Sequence, residues 1–394
     1  VQAESAGEIN RTDYDLDKDG WIDGVEILYK TDKSYEDTKA DKGSLWWNFT
    51  SCTGAKASVT TPTAYRYFWS RYDYLGTKYY TPDIDCHTMI HENGHMMGLN
   101  DYYSYDSNEG PAGGSDMMDM NVGDHNAYSK MQYNWVSPKY IDGSAKDFTL
   151  TLNSFTDTGD CVVITPTASP WNETPYDEYL VLQYYTPTGV NEKDSTGYPE
   201  WTKNGSSMGR GGCYEKPGLQ VFHVDSRNYC QFGTYTTNSD GTKALKSTGY
   251  KYTSKLTNAT TYNEDGTWEG ESIPAHDNTK SRSRDIVDNK LVSVSDNLNG
   301  KELAAVLASG TNGLTGSGYY SSFGVQANLF STAEFGGAST SYSDYRLRDF
   351  YTNDLKFNNG STFDWTFSVT AQTFNAATEG TNSGTISLHF VQNA

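Results

Sequence analysis

His91 and His95 stand four residues apart in the stretch HENGHMMGLND, and Glu92 directly follows the first. On an α-helix, residues four apart share one face, so two imidazoles at this spacing can grip one zinc ion. The adjacent carboxylate can reach a water on that ion. Gly98 lets the chain turn back, and Asp101 then offers a third ligand. Three protein ligands leave one position for water, which is the arrangement of a catalytic site. Zinc lowers that water's pKa toward about 7, and Glu92 serves as general base before passing the proton to a leaving amine. The same metal polarises the scissile carbonyl, so the chemistry is peptide-bond hydrolysis without a covalent intermediate. A hydrogen-bonded, half-buried histidine pair is the plain alternative. It leaves Glu92, Gly98 and Asp101 unexplained at their offsets.

Helix geometry narrows the ligand set. His87, His91 and His95 all fall on one face, but His87 and His95 are roughly 12 Å apart along the axis. Zinc–nitrogen bonds are only about 2.0–2.1 Å long, so one ion cannot take all three. His87 is a neighbour of the site or a surface residue.

A second chemical signal lies near the start, in DYDLDKDGWIDGVE. The residues from Asp15 to Glu26 fit an EF-hand calcium loop, with ligands from Asp15, Asp17, Asp19, the Trp21 carbonyl, Asp23 and Glu26. Gly20 suits the sharp bend. The plain alternative is a solvated acidic turn. VEILYK after the loop reads as a strand, so a calcium loop leading into a strand is expected, not a helix–loop–helix. Glu26 is the weakest member of the set for that reason. Further on, GGSDMMDMNVGD offers Met117, Met118 and Met120, either as ordinary core residues or as a hydrophobic floor beneath the zinc.

These groups need elements to hold them. TPDIDCHTMIHENGHMMGL reads as a helix, with Thr81 as N-cap, Pro82 at the first helical position and Gly98 as the stop. Ile84, Ile90 and Met97 are its expected buried stripe. HNAYSKMQYNW reads as a weaker helix ending before Ser137-Pro138. From about residue 145 the pattern becomes β: FTLTL, CVVITP, EYLVLQYY, GLQVFHVD, KLVSVS, STFDWTFSVT and GTISLHFVQ alternate or run apolar at strand length. Long polar loops are expected around residues 186–212 and 231–283.

Composition sets the outer bounds. The 394 residues suffice for two domains, and the 31 tyrosines are too many for a disordered chain. A net charge of −20 argues against nucleic acid or an anionic membrane as partner. No run of about 18 apolar residues exists, so no transmembrane segment is expected. VQAESAGEIN lacks the basic and apolar regions of a signal peptide; either a leader was removed or the sequence starts downstream of one. Five cysteines contain no CxxC pair, which disfavours a thiolate zinc cluster. Cys213 and Cys230 stand either as a disulfide or as free thiols.

Four blocks together resemble the immune inhibitor A family of secreted bacterial zinc metallopeptidases. They are DYDLDKDGWIDGVEILY, HENGHMMGLNDYYSYD, DMMDMNVGDHNAYSKMQYNWVSP and EYLVLQYY…KPGLQVFHVD, covering most of residues 10–230 in the family's order. A weaker match runs through LRDFYTNDLKFNN to the end. The resemblance implies an α+β fold: a metzincin-like catalytic domain, with a mixed sheet and active-site helix, followed by a β-rich, sandwich-like C-terminal region. The expected boundary puts the catalytic domain at residues 1–142 and the β-rich region, of one or two subdomains, at 143–394. It implies His91, His95 and Asp101 as zinc ligands, Glu92 as catalytic acid/base, and Met118 as the methionine-turn residue, with Met117 as the competing choice. It also implies secretion from a bacterium, a zymogen with a removable pro-segment, structural calcium, and a protein or peptide substrate. His223 reads as a structural strand residue. Asn100 replaces the family's turn proline. The family carries substantial sequence before the acidic loop where this chain has about a dozen residues, so the N-terminal part of the catalytic domain is expected to be missing or held as a separate chain.

Two other readings stay open. One is a calcium-dependent, β-rich surface or adhesion protein with an inactive peptidase-like domain. The other keeps the protease and takes its third ligand from a distant glutamate, as thermolysin-like enzymes do.

Overall fold

The computed structural model describes residues 7, 9–29, 48–51, 58–64, 66–71, 86–97, 99, 102, 116–173, 175, 177–195, 202–203, 206–207, 214–225, 232–237, 243–249, 255–256, 273–274, 284–287, 290–293, 304–307, 329–335, 345–346 and 365–392. Contacts divide the chain into two compact units. The first takes residues 1–100, 231–251 and 263–267; the second takes 101–230, 252–262 and 268–394.

In the first unit, Val25–Tyr29, Arg66–Arg71 and Asn48–Ser51 form a three-stranded sheet with Arg66–Arg71 in the centre. The centre strand runs parallel to Val25–Tyr29 and antiparallel to Asn48–Ser51. Phe68 on the centre strand is fully buried. The helix His87–Met97 packs against the centre strand and Asn48–Ser51.

That helix departs from the expected stripe. Ile90 and Met97 are 38% and 40% exposed, while His91 and Gly94 are buried. The inward face follows the i, i+3 spacing of the imidazole and the glycine, whose lack of a side chain suits close packing. The helix also opens later than the cue at Pro82, with the Cys86 carbonyl accepting from the Ile90 N–H at 2.9 Å. Residues 81–85, Ile84 among them, lie outside the described residues.

The second unit holds two larger sheets. One has the order Ala304–Leu307, Gly218–Asp225, Glu178–Tyr185, Cys161–Thr165, Lys139–Asp142; the other has Tyr345–Arg346, Trp365–Phe374, Gly384–Gln392, Asp147–Asn153. Leu180, Leu182, Leu219 and Val221 from the first join Leu150, Trp365, Phe367, Leu388 and Phe390 from the second in one core. Phe148 stacks on Phe390 with centroids 4.9 Å apart, and Phe330 meets Phe367 at 5.0 Å. Fully burying a side chain such as Phe330, Phe367 or Phe390 stabilises by about 1.5–3 kcal/mol.

Glu178–Tyr185 is buried along its whole length. Alternate residues of a strand face opposite ways. Leu180, Leu182 and Tyr184 enter the core between the sheets, and the helix Ala127–Gln132 also packs on this strand. Cover on both faces explains why the middle of EYLVLQYY, residues 179–182, runs apolar without alternation.

Segments read as loops hold paired strands in places. Phe232–Thr237 pairs antiparallel with Lys243–Gly249 through a bulge, and Lys255–Leu256 pairs with Ile273–Pro274. Their Thr-, Tyr- and Lys-rich composition hides the period of two. Among the described residues, no helix is long and apolar enough to cross a membrane.

Asp157 accepts from the Gly380 N–H at 2.9 Å and the Ser383 N–H at 2.6 Å. Burial alone would raise this carboxyl, but the bonds from Ser383, Gly380 and Ser154 outweigh it and hold it below the ordinary value. A lowered folded-state pKa stabilises the native state above the unfolded value of about 3.9, and that stability fades as pH falls through the folded value. Asp157→Asn is therefore expected to cost about 1 kcal/mol at pH 7, the lower end for such bonds because the carboxylate is partly exposed. Thermal melts of variant and wild type should converge as the pH drops below about 4. A gap that widens toward acid would contradict the assignment.

Cys161 sits 1% exposed in a central strand, and burial, with the nearby Asp160 charge, pushes its thiol up to about 12. Only a thiolate alkylates readily. Iodoacetamide at pH 8 is expected to modify the half-buried Cys86 while sparing Cys161 until the protein is denatured. Peptide mass spectrometry reads the order directly.

Candidate metal centre

The His91 and His95 rings lie on one side of the helix with centroids 4.6 Å apart and planes at 88°. His91 is 4% exposed, and His95 and Glu92 are half-buried. His95 Nδ1 lies 2.9 Å from the Leu99 carbonyl oxygen. A carbonyl only accepts, so Nδ1 carries the proton and the ring's lone pair sits on Nε2. Metal-binding histidines are commonly fixed in this way by their other ring nitrogen. The Leu99 N–H in turn donates to the Gly94 carbonyl at 2.9 Å, which ends the helix and sets the accepting carbonyl in place. Leu99 is 1% exposed. The donor set, two neighbouring imidazoles with one tautomer locked, fits zinc. Asp101 lies outside the described residues.

The acidic loop is built as a set of nested turns. Asp15 accepts from the Asp19 N–H at 3.1 Å and the Gly20 N–H at 3.0 Å. Asp17 accepts from the Asp19 N–H at 3.1 Å, and Asp19 from the Trp21 N–H at 2.8 Å. Asp23 closes the loop by accepting from the Leu16 N–H at 3.1 Å. Gly20 has φ +90°, a conformation that favours glycine. Ligand oxygens of Asp15, Asp17 and Asp19 all lie within 4.8 Å of one another, a set of hard oxygens that fits calcium. Partial burial, then the charges of Asp19, Asp23 and Asp15, raise the Asp17 carboxyl above its ordinary value, against the opposing Asp19 N–H bond. Glu26 stands exposed on the strand Val25–Tyr29, paired with Phe68.

The loop abuts the histidine-bearing helix. A Cβ on Gly24 would lie 3.1 Å from Met96 Cε, so the chain leaving the loop rests directly on that side chain.

Met117 and Met118 are 2% and 0% exposed, at the start of the short helix Met117–Met120. Asp116, fully buried, caps it by accepting from the Met118 N–H at 2.7 Å. Its other oxygen accepts from the Asn126 N–H at 2.7 Å, and Asn126 caps the helix Ala127–Gln132 through the Ser129 N–H at 3.0 Å. Asp and Asn are favoured helix N-cap residue types, which is the sequence signal for Asp116 and Asn126. The role of Leu99 as acceptor for His95 has no such signal, because it depends on where the chain turns.

His223 belongs to the strand Gly218–Asp225, opposite Leu180. Cys213 and Cys230 lie outside the described residues. Set against protein-family models, curated proteins and solved structures, the chain matches none.

Proposed function

We propose that this protein is a secreted bacterial zinc endopeptidase of metzincin type, with structural calcium in the acidic loop. The observation that carries the reading is the His91–Glu92–His95 set on one helix, with His95 locked by the Leu99 carbonyl so that Nε2 presents its lone pair. His91, His95 and Asp101 would hold the metal, and Asp15, Asp17, Asp19, Asp23 and the Trp21 carbonyl would hold calcium, with Glu26 completing the loop if its strand yields.

Bound there, zinc supplies Lewis acidity to a water and to a peptide carbonyl. Glu92 takes the proton of the attacking water and delivers it to the departing amine. The His95–Leu99 bond keeps the imidazole from rotating as charge develops nearby. Met118, or Met117 beside it, would serve as the methionine-turn residue. The substrate class is polypeptide, and a pro-segment that covers the site until cleaved is part of the same reading.

The test is metal analysis of the purified protein with a casein-cleavage assay, run on wild type and Glu92→Ala. One zinc per chain and cleavage that depends on Glu92 support the proposal. Absence of zinc, or cleavage indifferent to Glu92→Ala, sinks it and leaves the calcium-dependent surface protein as the better reading.

A further inference from the structure

The two imidazoles of the helix His87–Met97 are held by different means. His91 is 4% exposed, so the protein packed around it confines its ring. His95 is half-buried, and packing restrains its ring less. The bond that orients it runs from Nδ1 to the Leu99 carbonyl at 2.9 Å.

Leu99 is itself tied at three points. Its N–H donates to the Gly94 carbonyl at 2.9 Å, the six-residue bond of a Schellman helix stop. Its carbonyl accepts from His95. Its side chain is 1% exposed. In such a stop the residue in the place of Leu99 commonly packs on an apolar neighbour in the last turn. Asn93 and Gly94 hold those two positions here and offer no apolar side chain, so the burial of Leu99 comes from elsewhere in the protein. Ties at the amide, the carbonyl and the side chain leave the accepting oxygen little room to move.

We infer that Leu99 is a positioning residue for the zinc centre: its buried side chain and the stop at Gly94 hold the carbonyl that keeps the His95 proton on Nδ1. The inference rests on the proposed role of His95 as a zinc ligand. A neutral imidazole carries its proton on either nitrogen, and the hydrogen bond it makes selects which. With the proton on Nε2, that nitrogen would have no lone pair to give a metal. The residue that ends the helix thereby sets the ligand state of the histidine one turn before it.

The experiment uses the full chain with histidine labelled in its ring nitrogens. Spectra are taken at about pH 8, where imidazole is neutral, first free of metal and then with zinc titrated against a chelator. Seven histidines are few enough to assign, His91 and His95 by their substitution. Wild type should show His95 protonated at Nδ1 and bare at Nε2. Leu99→Ala should show both tautomers of His95, leave His91 unchanged and weaken zinc by about tenfold, the lower end for a group that orients a ligand. Leu99→Met conserves the volume and should restore the tautomer, with zinc affinity within about twofold of wild type. If Leu99→Ala melts lower but keeps the proton on Nδ1 and binds zinc as wild type does, while His95→Ala loses zinc, Leu99 is merely structural. The positioning role is then overturned and the ligand role stands. If His95→Ala binds zinc as wild type does, the ligand role fails and the inference falls with it. Should Leu99→Ala not fold, the smaller truncation Leu99→Val decides by the same two readings: a shifted tautomer with weakened zinc supports the role, and wild-type behaviour in both overturns it.

Discussion

Glu92→Ala is expected to lower kcat for peptide cleavage by about 10²- to 10⁴-fold, the range that a positioned acid/base contributes. Zinc content should stay at the wild-type level. The reason lies in the helix. Successive residues turn by about 100°, so Glu92 flanks the row of His91 and His95 without sharing it. On the proposed mechanism, removing its carboxylate takes away the proton acceptor and leaves both imidazoles where they are. His95→Ala is expected to have the opposite signature, with zinc lost first and activity with it. KM should move little in Glu92→Ala, because an interaction made only in the transition state affects kcat and kcat/KM alike. A variant that loses activity and zinc together would mean that Glu92 supports the helix, not the reaction. Retained activity would place the proton acceptor elsewhere.

What the sequence made legible here is local. The motif HENGHMMGLND and the acidic loop are written in residue types at short fixed offsets. Strands such as Glu178–Tyr185 and Gly384–Gln392 stand where the apolar runs place them, because cover on both faces, or alternation on one, leaves a direct imprint on residue type. Apolar character does not mark the inward face at Ile90 and Met97. In this helix a histidine and a glycine occupy it instead.

Long-range polar contacts left no trace in the sequence at all. Gln183 Oε1 accepts from the Ala127 N–H, Asn191 Oδ1 from the Asp124 N–H, and Asp194 from the Gly123 N–H, at 2.8, 2.8 and 2.5 Å. These bonds, spanning 56 to 71 residues, tie the segment after the methionines to the β-rich part of the chain. Residues 116–142 group with the second unit by contacts, although sequence order alone puts them with the HENGHMMGLND motif.

Calcium is expected to raise the melting temperature of the first unit. A ligand that binds only the folded state stabilises it by about 2.7 kcal/mol at a hundred times its Kd and about 4.1 kcal/mol at a thousand times. At about 2–4 °C per kcal/mol, the shift is roughly 5–15 °C. The loop explains why the response should be steep. Asp15, Asp17 and Asp19 are held together by backbone N–H bonds, so their mutual repulsion is present in the fold before any cation arrives. Asp17→Asn separates the two contributions. In chelator it should melt at or above wild type, because one repelling charge is gone. In calcium it should melt below wild type, because a ligand is gone. No shift in wild type at saturating calcium removes the site. The effect should also reach catalysis. Gly24 rests on Met96, one residue beyond His95, so a loop that loosens without calcium releases the helix that carries both histidines. Activity lost in chelators specific for calcium, with zinc still bound, is the result that links the two metals through this contact.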